Sequence, residues 1–410
     1  MSFALRPVTL DEVPAFVHTS MTGFGVDVRH PERLELEWTT HELDRTLAAF
    51  DQGEIVGTGR LYSLQLTLPG HSVVPVAAVS WISVLPTHRR RGMLTEIIGR
   101  QLDDAVARGE SMAVLNASEG VIYRRFGYGV ATSTIGFTLD TRHGAFLLPS
   151  PAGGRVRIVD DASARKAFPA IFDRARRVVP GAVSRIPEWW SDQYFWRDEK
   201  EEGARFFVTY ESPARDLDAF ACYRIMEKWE ASVSRSGLEL TDLVAVTPEA
   251  RAALWRYLCD IDLVESVAAR ACPVDEPLRW LLAESRRLNV NRISDELWVR
   301  ILDVPAALGA RRFPLPGRVV FEVADEFRPD GAAAGRFALD AGPDGADAAR
   351  TDAEPDLALA VADLGAAYLG GVSFSTLARA GLVEERTPGA LARADAMFRT
   401  DPAPFAMTWF

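Results

Sequence analysis

The chain has 410 residues, 48% hydrophobic and 25% charged, a globular balance that excludes a disordered or membrane-embedded polymer. At roughly 100–200 residues per domain, two or three separate cores are expected. The 46 Lys and Arg against 57 Asp and Glu leave a formal charge of -11, which argues against nucleic acid or an anionic membrane as the main partner and suits a small cationic one.

The opening Met-Ser-Phe-Ala-Leu-Arg-Pro lacks the apolar core of a signal peptide, and no run of ~18 apolar residues suggests a membrane span, so a cytoplasmic location is expected. Cys222, Cys259 and Cys272 show neither CxxC nor zinc spacing, which fits a reducing compartment. His18, His30, His41, His71, His88 and His143 form no HxxxH or HExxH pattern, so no metal is expected.

In chain order, the pattern predicts a strand at Phe3 to Pro7, a helix at Leu10 to Met21, and antiparallel strands at Glu54 to Ser63 and Val73 to Leu85 around the turn Leu68-Pro69-Gly70-His71. A Pro/Gly boundary follows at Pro149 to Gly154. Beyond it come a strand at Arg155 to Val159, a helix at Ala162 to Arg177, and a hairpin of Arg205 to Tyr210 with Ala219 to Met226. A strand at Leu238 to Val246 and a helix at Pro248 to Asp260 complete this part. The last part reads as strands at Glu296 to Leu302, Arg318 to Ala324 and Gly335 to Asp340, a short helix at Pro305 to Ala310, and an exposed loop over Ala341 to Pro355. Helices at Val361 to Leu369, Ser373 to Ala380 and Gly389 to Phe398 follow. These patterns divide the chain at 1–150, 151–294 and 295–410.

The most informative stretch is Val79-Ser-Trp-Ile-Ser-Val-Leu85 running into Pro86-Thr-His-Arg-Arg-Arg-Gly-Met-Leu94 and a helical pattern to Arg108. A strand that turns tightly into a helix leaves the first helical amides without partners, an anion site. Arg89, Arg90 and Arg91 add charge and Gly92 allows close backbone approach, an arrangement suited to a pyrophosphate, although a basic solvated turn would have the same composition. His88 stands beside these arginines as a second phosphate contact or a solvated turn residue. Neither a GxxxxGK(S/T) loop nor a GxGxxG strand-to-helix turn is present, which disfavours ATP and dinucleotides.

A second stretch, Met112-Ala-Val-Leu-Asn116 followed by Ala-Ser-Glu-Gly120 and Val-Ile-Tyr-Arg-Arg-Phe-Gly-Tyr-Gly129, places Tyr123 in a short helix after a strand. The terminus, Ala403-Pro-Phe-Ala-Met-Thr-Trp-Phe410, is unusually apolar for residues that normally fray, so it should be docked. Docking would carry the α-carboxylate of Phe410 inward, where it could act as a base or simply end a packed strand.

Together these stretches resemble the GNAT acetyltransferases, whose Q/R-x-x-G-x-G/A motif is matched by Arg89-Arg-Arg-Gly92-Met93 but ends here in Leu94. A bulky residue at that place is similar to the enhanced-intracellular-survival (Eis) branch. The resemblance implies an α+β fold: tandem GNAT-like domains, each a mixed sheet flanked by helices, then a sterol-carrier-protein-like α+β domain. The middle copy carries no Arg-x-x-Gly turn and is expected to be structural. Acetyl-CoA would be the co-substrate, its pyrophosphate held by Arg90, Arg91, Gly92, Met93, Leu94 and Thr95. Ile82, Ser83 and Val84 would bind pantetheine, and Ser118 and Glu119 would line the other side.

Tyr123 matches the family's general acid and Phe410 its terminal base. Tyr128 is read as packing, and Trp81 as acceptor pocket or core aromatic. The implied acceptor is a small cationic amine (aminoglycoside-like, polyamine or lysine), and the implied assembly is a homo-oligomer, a hexamer. Two rivals stand beside this reading: a lipid- or sterol-binding protein, and a GNAT-shaped assembly protein without catalysis.

Overall fold

The computed structural model describes residues 3–26, 42–149, 153–190, 195 and 203–410. His30, His41 and the 150–152 stretch of the Pro/Gly boundary lie outside them. The chain forms two compact units, one from Met1–Thr132, Pro180–Asp192 and Asp295–Phe410, the other from Ser133–Val179 and Gln193–Ser294.

Twenty-one strands run through the described residues: β1 (Ala4–Pro7), β2 (Thr46–Asp51), β3 (Glu54–Thr67), β4 (Val73–Val84), β5 (Met112–Asn116), β6 (Gly129–Val130), β7 (Ser133–Asp140), β8 (Arg155–Val159), β9 (Ala204–Glu211), β10 (Leu217–Met226), β11 (Trp229–Glu230), β12 (Val233–Ser234), β13 (Ser236–Ala245), β14 (Val264–Pro273), β15 (Leu288–Asp295), β16 (Leu297–Ile301), β17 (Gly317–Ala324), β18 (Gly335–Gly342), β19 (Gly345–Arg350), β20 (Leu357–Ala360) and β21 (Val383–Glu385). The helices used below are α1 (Val13–Phe24), α2 (Met93–Ala107), α3 (Gly120–Tyr123), α4 (Asp161–Arg176), α5 (Pro248–Cys259), α6 (Val304–Ala310), α7 (Val361–Tyr368), α8 (Phe374–Arg379) and α9 (Ala390–Phe398).

The first unit contains a seven-stranded sheet, β1-β2-β3-β4-β5-β16-β6, and a five-stranded sheet, β19-β18-β17-β20-β21. Strand β5 is apolar on both faces and buried on both. Met112 and Val114 join Leu297, Val299 and Ile301 in a core shared with Phe313, Phe321 and Phe337, whereas Ala113 and Leu115 pack with Ile98 and Leu102 of α2. Side chains alternate across a strand, so one five-residue segment serves two cores.

The C-terminal part of this unit seats α7 against β16 and β6 at very close range. A Cβ on Gly129 would lie 1.8 Å from the Ala362 carbonyl oxygen, and one on Gly365 2.3 Å from that of Val299. Arg124 adds a two-pronged ion pair to the buried Asp363, at 2.8 and 3.0 Å. The buried Arg311 donates to the carbonyls of Tyr368 and Phe398, the last residues of α7 and α9, and so satisfies two helix C-termini at once.

The second unit contains a seven-stranded sheet, β15-β7-β14-β13-β10-β9-β8, and the small β11-β12 hairpin. Helix α5 begins as its sequence dictates, with the Thr247 hydroxyl accepting from the Ala250 N–H and proline in the first turn. Helix α4 starts the same way on Asp160, which accepts from Ser163.

The stretch expected as an exposed loop, Ala341 to Pro355, instead contains β19, paired antiparallel with β18 from Gly342↔Gly345 to Phe337↔Arg350. Its Gly-Ala-Asp-Ala-Ala-Arg sequence has no large apolar residue to announce a strand, so backbone pairing to β18 decides the conformation. Two strands also take partners far away in sequence: β7 pairs with β14, and β16 lies between β5 and β6.

Candidate active site

The site begins where β4 and β5 part. Their parallel register among the described residues runs Ala77↔Ala113, Ala78↔Val114 and Val79↔Leu115, after which β4 continues to Val84 alongside β3. A bulge opens at the same place: Ser80 opposes Arg60 and Ser83 opposes Thr58, so β4 carries one extra residue. Trp81 takes up the bulge in the left-handed region at φ 54°, and its carbonyl is pinned by the Thr58 hydroxyl at 2.8 Å. A bulky residue held there stores of order 1–3 kcal/mol, which the sheet on either side must offset.

Past β4 the chain makes a short 3-10 turn at Pro86–His88, passes Arg90 at φ 64° and Gly92 at φ 83°, and enters α2 at Met93. Gly92 is the N-cap, and among the described residues no side chain caps it, so the first α2 amides remain available to an anion. Ile82, Ser83, Val84, Arg89, Arg90, Gly92, Met93, Leu94, Thr95, Ser118, Glu119 and Tyr123 line one cavity of about 650 Å³.

Arg91, read from the sequence as part of this anion site, is not in that lining. It faces Asp51 at 3.5 Å and the Thr87 carbonyl at 3.4 Å. Arg89 does line the cavity but donates to the carbonyls of Val84 and Gly23, both at 3.1 Å, tying the turn to the end of α1. Arg90, at φ 64°, lines the cavity as well. His88 also lines the cavity, its Nε2 3.3 Å from Asp51.

A second, smaller cavity of about 290 Å³ is walled by Ser20, Met21, Trp81, Asn116, Trp409 and Phe410, and it shares Phe24, Ile82, Ser118 and Tyr123 with the first. Tyr123 therefore stands where the two meet. Its ring is buried edge-on to Tyr128, centroids 6.1 Å apart. Burial pushes its phenol up to about 12, with a hydrogen bond to Ser118 opposing the shift and the nearby Glu119 charge adding to it. Tyr128 is fully buried, and burial raises its phenol too, as suits a packing role.

Phe410 is brought into the second cavity by a docked tail. The Phe405 N–H donates to the Pro180 carbonyl and the Val183 N–H to that of Ala406, both at 2.9 Å. The Thr408 hydroxyl bonds to the Val183 carbonyl at 3.0 Å, and Arg185 donates to the Met407 carbonyl at 2.6 Å. The buried Glu296 receives the Ala406 N–H at 3.0 Å and the Thr132 hydroxyl at 3.1 Å, while burial lifts its carboxyl to about 7. Trp81 lines this cavity, packs toward Phe16 and donates from Nε1 to the Tyr62 hydroxyl at 3.1 Å.

Sequence reasoning missed Asn116, Arg125 and the end of α1, Gly23 and Phe24, all on the cavity walls. Asn116 ends β5, and Arg125 follows the short helix that bears Tyr123. Among the described residues no group of three His, Cys, Asp or Glu is placed to hold a metal. The three cysteines are buried with raised thiols, Cys222 and Cys259 to about 12, which denies them a thiolate at neutral pH. No helix of the described residues is long and apolar enough to cross a membrane.

Comparison with known proteins places these features in context. Residues 4–131 match an acetyltransferase (GNAT) domain model, 181–301 a second acetyltransferase (GNAT) domain, and 304–407 a sterol carrier protein domain. An N-acetyltransferase of Streptomyces avermitilis is 38% identical over 408 residues, 99% of each chain. The N-acetyltransferase Eis of Mycobacterium tuberculosis is 36% identical over 355 residues, 85% of this chain and 84% of its own. Among solved structures, an Eis protein of Mycobacterium abscessus superposes with a TM-score of 0.89 at 38% identity, covering 99% of this chain and 100% of that one. A GCN5-related N-acetyltransferase of Anabaena variabilis shares the fold, with a TM-score of 0.84 at 18% identity.

Proposed function

Because the chain belongs to the Eis family of GNAT N-acetyltransferases, and is therefore an acetyltransferase for which acetyl-CoA is the implied co-substrate, we propose that it acetylates an amine of a small cationic acceptor by direct transfer, with Tyr123 as general acid and the α-carboxylate of Phe410 as general base. The observation that carries this reading is the position of Tyr123 on the shared wall of the two cavities, with Phe410 on the smaller one.

The larger cavity takes acetyl-CoA. Its pyrophosphate lies at the uncapped start of α2 beside Arg90, and the β4 backbone from Ile82 to Val84 binds pantetheine and polarises the thioester oxygen. The acceptor nitrogen enters from the smaller cavity and its lone pair forms the new C–N bond. Phe410 takes the amine proton, the C–S bond breaks, and Tyr123 protonates the departing sulfur. With every cysteine buried and protonated, an acetyl-enzyme on sulfur has no support, which favours the single direct step.

The acceptor class is aminoglycoside-like, polyamine or lysine, drawn in part by the chain's net charge of -11. The division of labour assigns catalysis to 1–150, a structural GNAT-like copy to 151–294, and delivery of the terminus to 295–410, with β7 and β16 exchanged across those limits. A cytoplasmic hexamer is the proposed working form. The lipid-carrier reading loses ground because Phe313, Phe321 and Phe374 each meet Phe398 edge to face in the buried interior of the last part.

The test is thiol release from acetyl-CoA against a panel of amines, for the native protein and for a form carrying one extra residue after Phe410. Native turnover with at least one amine and loss of turnover in the extended form are expected. Full activity of the extended form would dismiss the terminal base.

A further inference from the structure

We propose that Asn116 is a positioning residue for the acetyl transfer, its side-chain amide fixing the last residue of the chain so that the α-carboxylate of Phe410 faces the acceptor cavity. The inference rests on the reading of Phe410 as base, and it names the group that holds it.

Asn116 is the last residue of β5, at the point where the sheet opens. Its Oδ1 accepts the main-chain N–H of Phe410 at 3.2 Å, and its Nδ2 donates to the Glu296 carbonyl at 2.9 Å. One partner is a donor and the other an acceptor, so only this orientation of the amide satisfies both. The residue joins two points that are 180 and 294 positions away in sequence.

Upstream the tail is anchored at Phe405, Ala406, Met407 and Thr408, but Trp409 is largely exposed, and the final residue depends on its own contacts. Among the described residues those contacts include the Asn116 hydrogen bond, the ring of Trp189 and apolar packing of the Phe410 side chain against the core. The ring contact leaves rotation of the carboxylate free, whereas a bond to the N–H on the same Cα restrains it. Among the described residues, the titratable and charged groups around the terminus include Tyr123 across the cavity, Glu296 behind Asn116, and Arg185 on the Met407 carbonyl.

Asn116→Asp is nearly isosteric, yet it sets a carboxylate against the Glu296 carbonyl and beside the terminal carboxylate. A like charge placed on the partner of the Phe410 N–H raises the pKa of the carboxylate that the same residue bears. The experiment measures acetyl transfer to whichever of spermidine, kanamycin or a lysine peptide turns over fastest, in full-length Asn116→Ala and Asn116→Asp, with acetyl-CoA affinity by calorimetry.

The expected result is a kcat loss of roughly 10- to 100-fold in Asn116→Ala with acetyl-CoA affinity kept, since misplacing a reacting group by an ångström costs about that much. In Asn116→Asp the acid limb of the kcat profile should move to higher pH. Should Asn116→Ala fail to fold, the acid limb of Asn116→Asp decides alone. Native kcat in Asn116→Ala, or an unmoved acid limb in Asn116→Asp, overturns the proposal. Removing Phe410 in parallel separates the two ideas: inactivity without Phe410 but native behaviour of both Asn116 variants sinks only this inference, whereas full activity without Phe410 sinks both.

Discussion

The ring of Phe410 lies parallel to that of Trp189, with centroids 6.4 Å apart and planes 2° from coplanar. Trp189 in turn stands edge-on to Tyr62 at 4.9 Å, and the Tyr62 hydroxyl receives the indole N–H of Trp81. The terminal ring thus belongs to a row of aromatic contacts that ends at the β4 bulge. Trp189→Leu removes the stacking surface, worth about 0.5–1.5 kcal/mol, and leaves part of the buried Trp189 volume unfilled. Turnover should fall severalfold while acetyl-CoA affinity stays native, read by steady-state kinetics beside calorimetry. Equal loss of both would mean that Trp189 supports the whole domain rather than the tail.

Tyr123→Phe removes a proton donor from the wall between the cavities without changing their shape. A kcat loss of about 10²–10⁴ is expected, with acetyl-CoA binding unchanged. The phenol is raised from its ordinary value to about 12, so the folded state favours the protonated form. Its contribution to stability is therefore complete below the unfolded value near 10 and is lost as pH rises through about 12. Across pH 6 to 9 the acid stays loaded, and activity should show no basic limb from this group. A basic limb below pH 9 that disappears in Tyr123→Phe would contradict the shift.

Much of this site is legible in the sequence because its parts are local. The bend from β4 into α2, the short helix bearing Tyr123 and the apolar terminus each occupy fewer than about twenty residues with their own periodicity and turn chemistry. Strands β7 and β16 are different, since each finds its sheet partner through long-range pairing that no window of sequence records. Asn116 was hidden for a similar reason: a lone asparagine ending a strand has no spacing signature, and both of its side-chain partners come from the far end of the chain. Arg91 shows the converse, for a run of three arginines gives no sign of which one faces Asp51 rather than the cavity.

Gly92→Ala tests the anion turn. Among the described residues no atom lies within 4 Å of the Cβ it would add, so the cost is conformational rather than steric, set by φ 83°. A left-handed alanine costs about 1–2 kcal/mol, and relieving it would rotate the first amides of α2 away from the cavity. The Kd for acetyl-CoA should rise about 5- to 30-fold, with little change in kcat at saturation. Calorimetry checks this, and unchanged affinity would mean that these amides do not bind the pyrophosphate.

Gly365→Ala tests how the last part of the chain seats on the first sheet. The new Cβ would sit 2.3 Å from the Val299 carbonyl oxygen, a backbone atom that has no rotamer to escape by. Either α7 or β16 must shift, and overpacking of this kind typically costs about 1–3 kcal/mol. A fall in Tm is expected together with loss of acetyl transfer, because the tail that carries Phe410 follows from the same seat. A native Tm would show that α7 can move freely against the sheet.

Glu296 ties the tail to β16 through a carboxyl that is buried and shifted, which makes the seat of the terminus pH-sensitive. Its folded value near 7 lies above the ordinary 4.5, so folding favours the protonated form. The stabilising contribution is complete below about 4.5 and is lost as pH rises through 7, a change of about 3 kcal/mol at most. Glu296→Gln keeps a carbonyl to accept from Ala406 and Thr132 but does not titrate. Amide exchange of the C-terminal peptide reports this locally, without requiring the whole chain to unfold in one step. Protection in Glu296→Gln relative to the native protein should grow between pH 5 and 8 and then level off. A relative protection that stays flat over that range, or falls, would mean that the native carboxyl is already ionised in its buried seat and that the Ala406 and Thr132 hydrogen bonds outweigh its desolvation.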